Sequence, residues 1–336
     1  MMNKRNVIFK MAFGLLVFCL SMAPLHVSAV ETINPVNPVN PGVNVLVEPD
    51  DLFPIMDEPV TSDLTLLHAG TVLDSNRWIQ SFTKDSNYYY FVQMTNPDKG
   101  HLRITRVKYT APHQYTKDHM DLLGFGHGTN IDCTVHNGRT YLWIGSLMDK
   151  KTKNTKAISC FRYVSGGIVR KKAGNTYKIR MKGRLKKAEN VFPAVSQDGK
   201  YLFVRYTYQK KQYFQKYRIY SGCKIKNNHP LMKLCISATA GDFQGFDVYK
   251  NYIYTIEGSP TALFLSSFDK NRAFQSTIVR ITNYKTASTT FKIITGAQSM
   301  SFREPEGIKV MKNRRVEILF VSNMLEKQRC NIYKLK

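Results

Sequence analysis

The feature that most constrains this fold is a repeat. From Leu64 on, five segments share one layout, an apolar strand, a turn and an aromatic-rich strand: Trp78 to Met94, Asn130 to Leu147, Val191 to Thr207, Phe243 to Gly258 and Pro305 to Asn323. The second strands begin at residues 88, 141, 201, 252 and 317, so the unit recurs every 51 to 65 residues. A supersecondary unit of about 50 residues is the length of one four-stranded propeller blade. His136-Asn137-Gly138 and Gln197-Asp198-Gly199 stand where a tight hairpin needs positive φ. The same alternation fits a β-sandwich or jelly roll. Recurrence along the whole domain favours radial stacking, in which each unit buries the apolar face it cannot cover alone. The expected fold is all-β, a five-bladed β-propeller over residues 64–336.

Two segments precede the repeat. Lys4, Arg5 and Lys10 flank the short apolar run Met11 to Leu20, and His26-Val27-Ser28-Ala29 ends in a processing pattern. This reads as a signal peptide over 1–29, cleaved after Ala29, with an uncleaved anchor as the alternative. Residues 30–63 are rich in Asn, Pro and Val, which favours extended chain over helix, and read as a disordered tether. The expectation is a secreted, monomeric protein.

Charge divides along the same boundaries. The formal net charge is +25, with three basic residues in 1–29 and seven acidic but no basic residues in 30–63, which leaves +29 on 64–336. A domain this basic calls for an anionic partner. The densest run is Arg170, Lys171, Lys172, Lys178, Arg180, Lys182, Arg184, Lys186 and Lys187. Lys150, Lys151, Lys153 and Lys156 precede it, and Lys210, Lys211, Lys216 and Arg218 follow among Tyr206, Tyr208, Tyr213 and Tyr217. Such a run concentrates phosphate-bearing polymers with strong salt dependence, or else is a solvated loop. Tyr interleaved with Lys also fits nucleic acid, which an exported protein is not expected to meet.

Cysteine and motif chemistry is sparse. Beyond Cys19 there are Cys133, Cys160, Cys223, Cys235 and Cys330, an odd number at irregular spacing, with Cys223 and Cys235 placed to pair across a hairpin. No CxxC or HExxH spacing is present. By repeat position, Gln80, His127, Gln244, Glu304 and Glu306 are expected to line the central channel, with Asp132 and Asp247 nearby. Glu304 and Glu306 fit three roles: a hydrogen-bonded latch closing the ring, an acid–base pair with His127, or oxygen ligands for a channel Ca²⁺. The latch is preferred, because no nucleophile has an evident partner. No catalytic residue and no cofactor is therefore assigned.

Gly126-His127-Gly128, Phe243-Gln244-Gly245-Phe246-Asp247-Val248-Tyr249 and Arg303-Glu304-Pro305-Glu306-Gly307-Ile308 fall in order at blade starts. With these stretches the chain resembles the helveticin J-like class III bacteriocins. Their propeller is similar to that of teichoic acid biosynthesis protein C and of phage receptor-binding tail proteins. The resemblance spans roughly 64–336, with one departure: Phe192 stands where the family pattern has an acid. It implies an antimicrobial protein that binds anionic wall polymer or membrane surface of related Gram-positive bacteria and kills or inhibits them. The alternatives are a secreted enzyme acting on teichoic acid-type wall glycopolymer, with Glu304, Glu306 and His127 as its catalytic groups, and a non-lethal adhesin.

Overall fold

The computed structural model describes residues 63–336 apart from 74, 76, 111–115, 171–176, 181–186, 226–229, 237–241, 259–276, 298–299, 301–302 and 323–327. The chain divides into Met1–Asp57 and Glu58–Lys336. The expected signal peptide and all of the tether except Asp63 lie outside the described residues.

Every regular element described is a strand. The first, β1 (Leu64–Val72), leads into blade 1: β2 (Trp78–Lys84), β3 (Tyr88–Asn96), β4 (His101–Lys108) and β5 (His119–Leu123). Blade 2 begins with β6 (Ile131–His136), β7 (Arg139–Ser146) and β8 (Ala157–Arg162). The chain then crosses to blade 1, where β9 (Ile168–Arg170) pairs parallel to β5, and returns as β10 (Tyr177–Arg180) on β8. Blade 3 is β11 (Glu189–Val195), β12 (Tyr201–Tyr208) and β13 (Lys211–Ser221), with β14 (Lys224–Ile225) and β15 (Met232–Ile236) both on β13. Blade 4 is β16 (Phe243–Tyr249), β17 (Tyr252–Glu257), β18 (Ile278–Asn283) and β19 (Thr289–Ile293). Blade 5 is β20 (Glu304–Val310), β21 (Val316–Ser322) and β22 (Arg329–Leu335), completed by β1.

The innermost strands β2, β6, β11, β16 and β20 each touch the next, and β20 touches β2, so the five-bladed ring is closed. The five sequence repeats are the two inner strands of the five blades. Asn137 and Gly138 take positive φ of 49° and 67° at the β6–β7 turn, as the Asn-Gly pair requires.

Alternation along each strand sends side chains to both neighbouring blades. Leu142 and Ile144 pack towards blade 1 with Tyr90, Val92 and Leu102, while Trp143 packs towards blade 3 with Val191, Leu202 and Tyr206. Apolar clusters of the same kind fill the remaining three interfaces. Each interface therefore depends on burial from two sheets at once.

Polar bonds close the centre. Asp132 on β6 accepts from the Val195 amide at 2.6 Å, and Asp247 on β16 accepts from the Val310 amide at 2.7 Å. Lys309 on β20 reaches both carboxylates, at 2.6 Å to Asp132 and 3.2 Å to Asp247. Asn130 donates to the carbonyls of Pro193 and Phe246 and accepts from the Phe246 amide. Gly245 is needed here: a Cβ would lie 3.0 Å from Asn130 Oδ1 and 3.3 Å from the Gly307 Cα.

Two ties work farther out. Asp63 accepts from the Gly296 amide at 3.0 Å and its carbonyl accepts from the Lys336 amide at 2.9 Å. It therefore belongs to the domain rather than to the tether. Cys160 on β8 is bonded to Cys223, beside β13, with Cα atoms 5.4 Å apart. That corrects the hairpin pairing: Cys235 is a free, exposed thiol. Cys223 and Cys235 lie on opposite sides of the β14 excursion, whereas Cys160 faces Cys223 across a blade interface.

Two outcomes are expected from these ties. Lys309→Met leaves two buried carboxylates without their cation and lowers unfolding free energy by about 3–5 kcal/mol, read by urea titration. A loss below about 1 kcal/mol would remove Lys309 from this role. Cys160→Ser opens a loop of 63 residues and costs about 2–4 kcal/mol, whereas Cys235→Ser leaves the melting temperature unchanged.

Candidate functional site

The latch bonds fix which residues correspond from blade to blade. Asp132 and Asp247 make the same bond to the next inner strand, and five residues earlier stand His127 and Asp242. The equivalent positions in the other blades are Trp78, Glu189 and Glu304. These residues ring one mouth of the channel. Two positions farther in, Gln80, Gln244 and Glu306 occupy the same β-bulge of β2, β16 and β20. The sequence assignment of Gln80, His127, Gln244, Glu304 and Glu306 thus resolves into two stacked rings. Gln80 and Gln244 spend their amides locally, on the carbonyls of Ile79 and Gly258.

Glu304 and Glu306 hydrogen-bond each other on β20. Burial pushes the Glu304 pKa up to about 7, with Asp242 adding to the rise, and burial beside Glu304 pushes Glu306 well above the usual carboxyl range. The pair is bonded along one strand, while Asp132, Asp247 and Lys309 tie the inner strands β6, β16 and β20 together. A glycosidase pair needs its carboxyls about 5 Å or more apart to flank the scissile bond, which a directly bonded pair does not provide. His127 is separated from Glu304 in the mouth ring by Trp78. Among the described residues no group of three or more His, Cys, Asp or Glu is arranged to hold a metal ion.

Beside the mouth, blades 2, 3 and 4 enclose a cavity of about 560 Å³. His127 and Thr129 enter it ahead of β6, and Thr152 to Thr155 come from the β7–β8 loop. Asn190, Phe192, Arg205, Thr207 and Gln212 come from blade 3, with Lys210 at its β12–β13 turn, and Asp242 and Phe243 from the start of β16.

Local bonding sets this wall. Asp149 accepts from the amides of Lys151 and Thr152 and pairs with Lys156 at 2.8 Å, which shapes the loop that presents Lys153. Thr155 Oγ1 donates to the Val191 carbonyl and Asn154 donates to Glu189, fastening that loop to β11. Gln209 and Lys210 adopt φ of 49° and 60° at the turn that lifts Lys210 to the rim.

Arg205 is the centre of the cavity. It is 4% exposed, its Nε donates to Gln212 Oε1 at 3.0 Å, and its guanidinium lies 3.8 Å from the Phe243 ring centroid. Phe192 stacks on Phe243 at 5.6 Å and 4°. Burial draws the Arg205 pKa down to about 9, so the group stays cationic at neutral pH. His127, set in the concavity yet open to solvent, has its pKa lowered by desolvation. Lys153, Arg205 and Lys210 thus outnumber Asp242 in formal charge.

Of the basic run, Arg170 and Lys187 are exposed, and Lys178 and Arg180 lie on β10. Lys171, Lys172, Lys182, Arg184 and Lys186 lie outside the described residues. Arg180 pairs with Ala157, next to the cavity loop, and Lys187 is three residues before Asn190, so both described ends of 181–186 lie on the cavity face. Lys216 is committed elsewhere, over the Tyr201 ring at 4.1 Å. Sequence reading missed Arg205, Gln212 and Phe243 as site residues. The available signal was a charge inside the apolar run Leu202-Phe203-Val204-Arg205-Tyr206.

The carboxyl pair gives a pH signature. Both groups have pKa values above the unfolded-chain range, so folding binds protons: their stability contribution is full below about pH 4.5 and is lost as pH rises through 7. The melting temperature is expected to fall between pH 5 and pH 8, and Glu306→Gln to reduce that fall. An equal fall in wild type and variant would show that the pair does not titrate this way.

The residues 78–328 match the family model for the phage 5-bladed beta propeller receptor binding platform domain. Of the three groups in the sequence resemblance, the match falls on the phage receptor-binding propellers and not on the helveticin J-like bacteriocins. Among solved structures, the tail fiber of Staphylococcus aureus phage P68 superposes with a TM-score of 0.61 at 18% identity, covering 82% of this chain and 52% of that one. The chain therefore spans about half the length of that tail fiber, and the likeness is one of fold. The native Bacillus subtilis arabinanase Arb43A is more distant, at a TM-score of 0.43 and 12% identity over 76% of this chain and 93% of that one. No curated protein matches the chain.

Proposed function

We propose that this chain, which belongs to the family of phage five-bladed β-propeller receptor-binding platform domains, docks an anionic glycopolymer of the bacterial envelope in the cavity of blades 2 to 4. The observation that carries the reading is Arg205. Only its Nε is hydrogen-bonded among the described residues, and its guanidinium carbon lies 3.8 Å from the Phe243 ring centroid inside the cavity. A planar, desolvated guanidinium with free Nη donors is suited to phosphate oxygens. Lys153 and Lys210 at the rim add charge for neighbouring phosphates. The Phe192–Phe243 surface offers an apolar face to a sugar or polyol, and Asn190, Thr207 and Gln212 offer hydrogen bonds to hydroxyls.

A teichoic acid-type polymer, phosphodiesters alternating with polyol and sugar, has this chemistry. The +29 of the domain draws it in over distance and makes capture salt-dependent. Secretion suits the N-terminal pattern and the Cys160–Cys223 bond, which persists in oxidising surroundings. A lethal step rests on the resemblance to helveticin J-like proteins alone and is not needed for binding.

The test is retention on isolated Gram-positive walls. Arg205→Gln is expected to weaken retention about tenfold, the loss of one charged hydrogen-bonding partner. The exposed pair Lys153→Gln/Lys210→Gln should flatten its dependence on salt. Walls stripped of anionic polymer should not retain the protein. Full retention by both variants, or by stripped walls, would overturn the reading.

A further inference from the structure

One side chain on the cavity face has no structural explanation. Of the two tryptophans, Trp143 is 0% exposed, whereas Trp78 is 45% exposed. Trp78 opens β2, the innermost strand of blade 1, and every residue of β2 after it is buried. A scattered apolar residue on a surface needs no reason. The largest side chain as the single exposed position of an otherwise buried inner strand does.

The backbone around Trp78 is tied by hydrogen bonds. Ile79 donates its amide to Gln328 Oε1 at 2.8 Å, and Gln93 Nε2 donates to the carbonyls of Ser75 and Arg77 at 2.8 and 2.9 Å. Trp78 itself pairs with Met94 across β2 and β3. The indole is thus carried on a fixed support, as aromatic anchors of binding sites are. In the mouth ring it stands next to His127, which is also a wall of the cavity. Trp78 and His127 hold equivalent repeat positions on the adjacent blades 1 and 2, whose inner strands touch.

We infer that Trp78 is a second subsite, which stacks on a sugar or polyol unit of the same polymer whose phosphate is held at Arg205. The inference rests on the cavity reading above, and it adds that the receptor is recognised as a polymer spanning at least two stations. Stacking on an indole needs a flat apolar face, which sugars and polyols present between their hydroxyls and phosphates lack. Two linked stations raise affinity for long chains without changing that for a single unit.

The probe is the anionic polymer released from isolated Gram-positive walls, separated into short fragments of a few repeats and long chains, with affinities measured by competition. Trp78→Ala should weaken binding of long chains about tenfold and leave short fragments within twofold, while Trp78→Phe keeps part of the long-chain affinity. Arg205→Gln should weaken both fractions. An unchanged melting temperature for Trp78→Ala, expected for an exposed side chain, separates stacking from folding. If Trp78→Ala binds long chains as wild type does, or loses both fractions equally, the second subsite is wrong while the cavity reading stands. If Arg205→Gln binds both fractions as wild type does, the cavity reading fails and this inference fails with it.

Discussion

The structure depends on one buried ion cluster at its axis. Five sheets arranged radially have apolar contacts only with their neighbours, and those contacts do not fix the diameter of the ring. Lys309 does so by reaching from β20 to Asp132 on β6 and Asp247 on β16. One cation facing two buried carboxylates leaves a surplus negative charge. Burial accordingly raises the Asp247 pKa even with Lys309 beside it. The surplus is spread by backbone amides: Cys133, Val195, Val248 and Val310 all donate to these two aspartates. At the rim, β1 closes the ring a second time by pairing with β22.

Lys309, Asp132 and Asp247 cross the axis at one level, and among the described residues the cavity lies beside the mouth, where the inner strands of blades 2 to 4 begin. On blades 2 to 4 that space is roofed by the β7–β8 loop and the β12–β13 turn, both of which carry lysine. The described ends of the long basic segment open on the same face. Positive charge is therefore gathered by strand direction: Lys153 and Lys210, far apart in sequence, lie on the face where the inner strands start, as do the described residues Arg180 and Lys187.

How much of this the sequence discloses follows from the range of each contact. The blades are legible because each repeat is a hairpin whose two strands are neighbours in the chain, and Asn137-Gly138 marks one of the turns outright. Gln80, Gln244 and Glu306 are legible as equivalents because the bulge recurs with the repeat. The cavity is not, since His127, Arg205 and Phe243 come from three blades and become neighbours only when the ring closes. The exchange of β9 into blade 1 and the Cys160–Cys223 bond are hidden for the same reason: both cross blade boundaries that no local pattern marks. Glu304 and Glu306, expected from the sequence to be the latch, lie apart from the ion cluster that ties β6, β16 and β20. Their position in the repeat places them at the mouth, one bulge above the level at which Asp132, Asp247 and Lys309 meet.

Phe192 shows how a departure from a family pattern acquires meaning once the register is known. It stands where the bacteriocin-like pattern has an acid, and it pairs directly across β11 and β12 with Arg205. A carboxylate at that position would face the guanidinium from the adjacent strand and neutralise it, as opposite charges in cross-strand pairs do. A phenyl ring leaves the charge in place, and with Phe243 it replaces water around the guanidinium by a polarisable surface. The residue that weakens the resemblance is thus the one that leaves the strand partner of Arg205 uncharged, with Glu257 the carboxylate that still acts on the guanidinium.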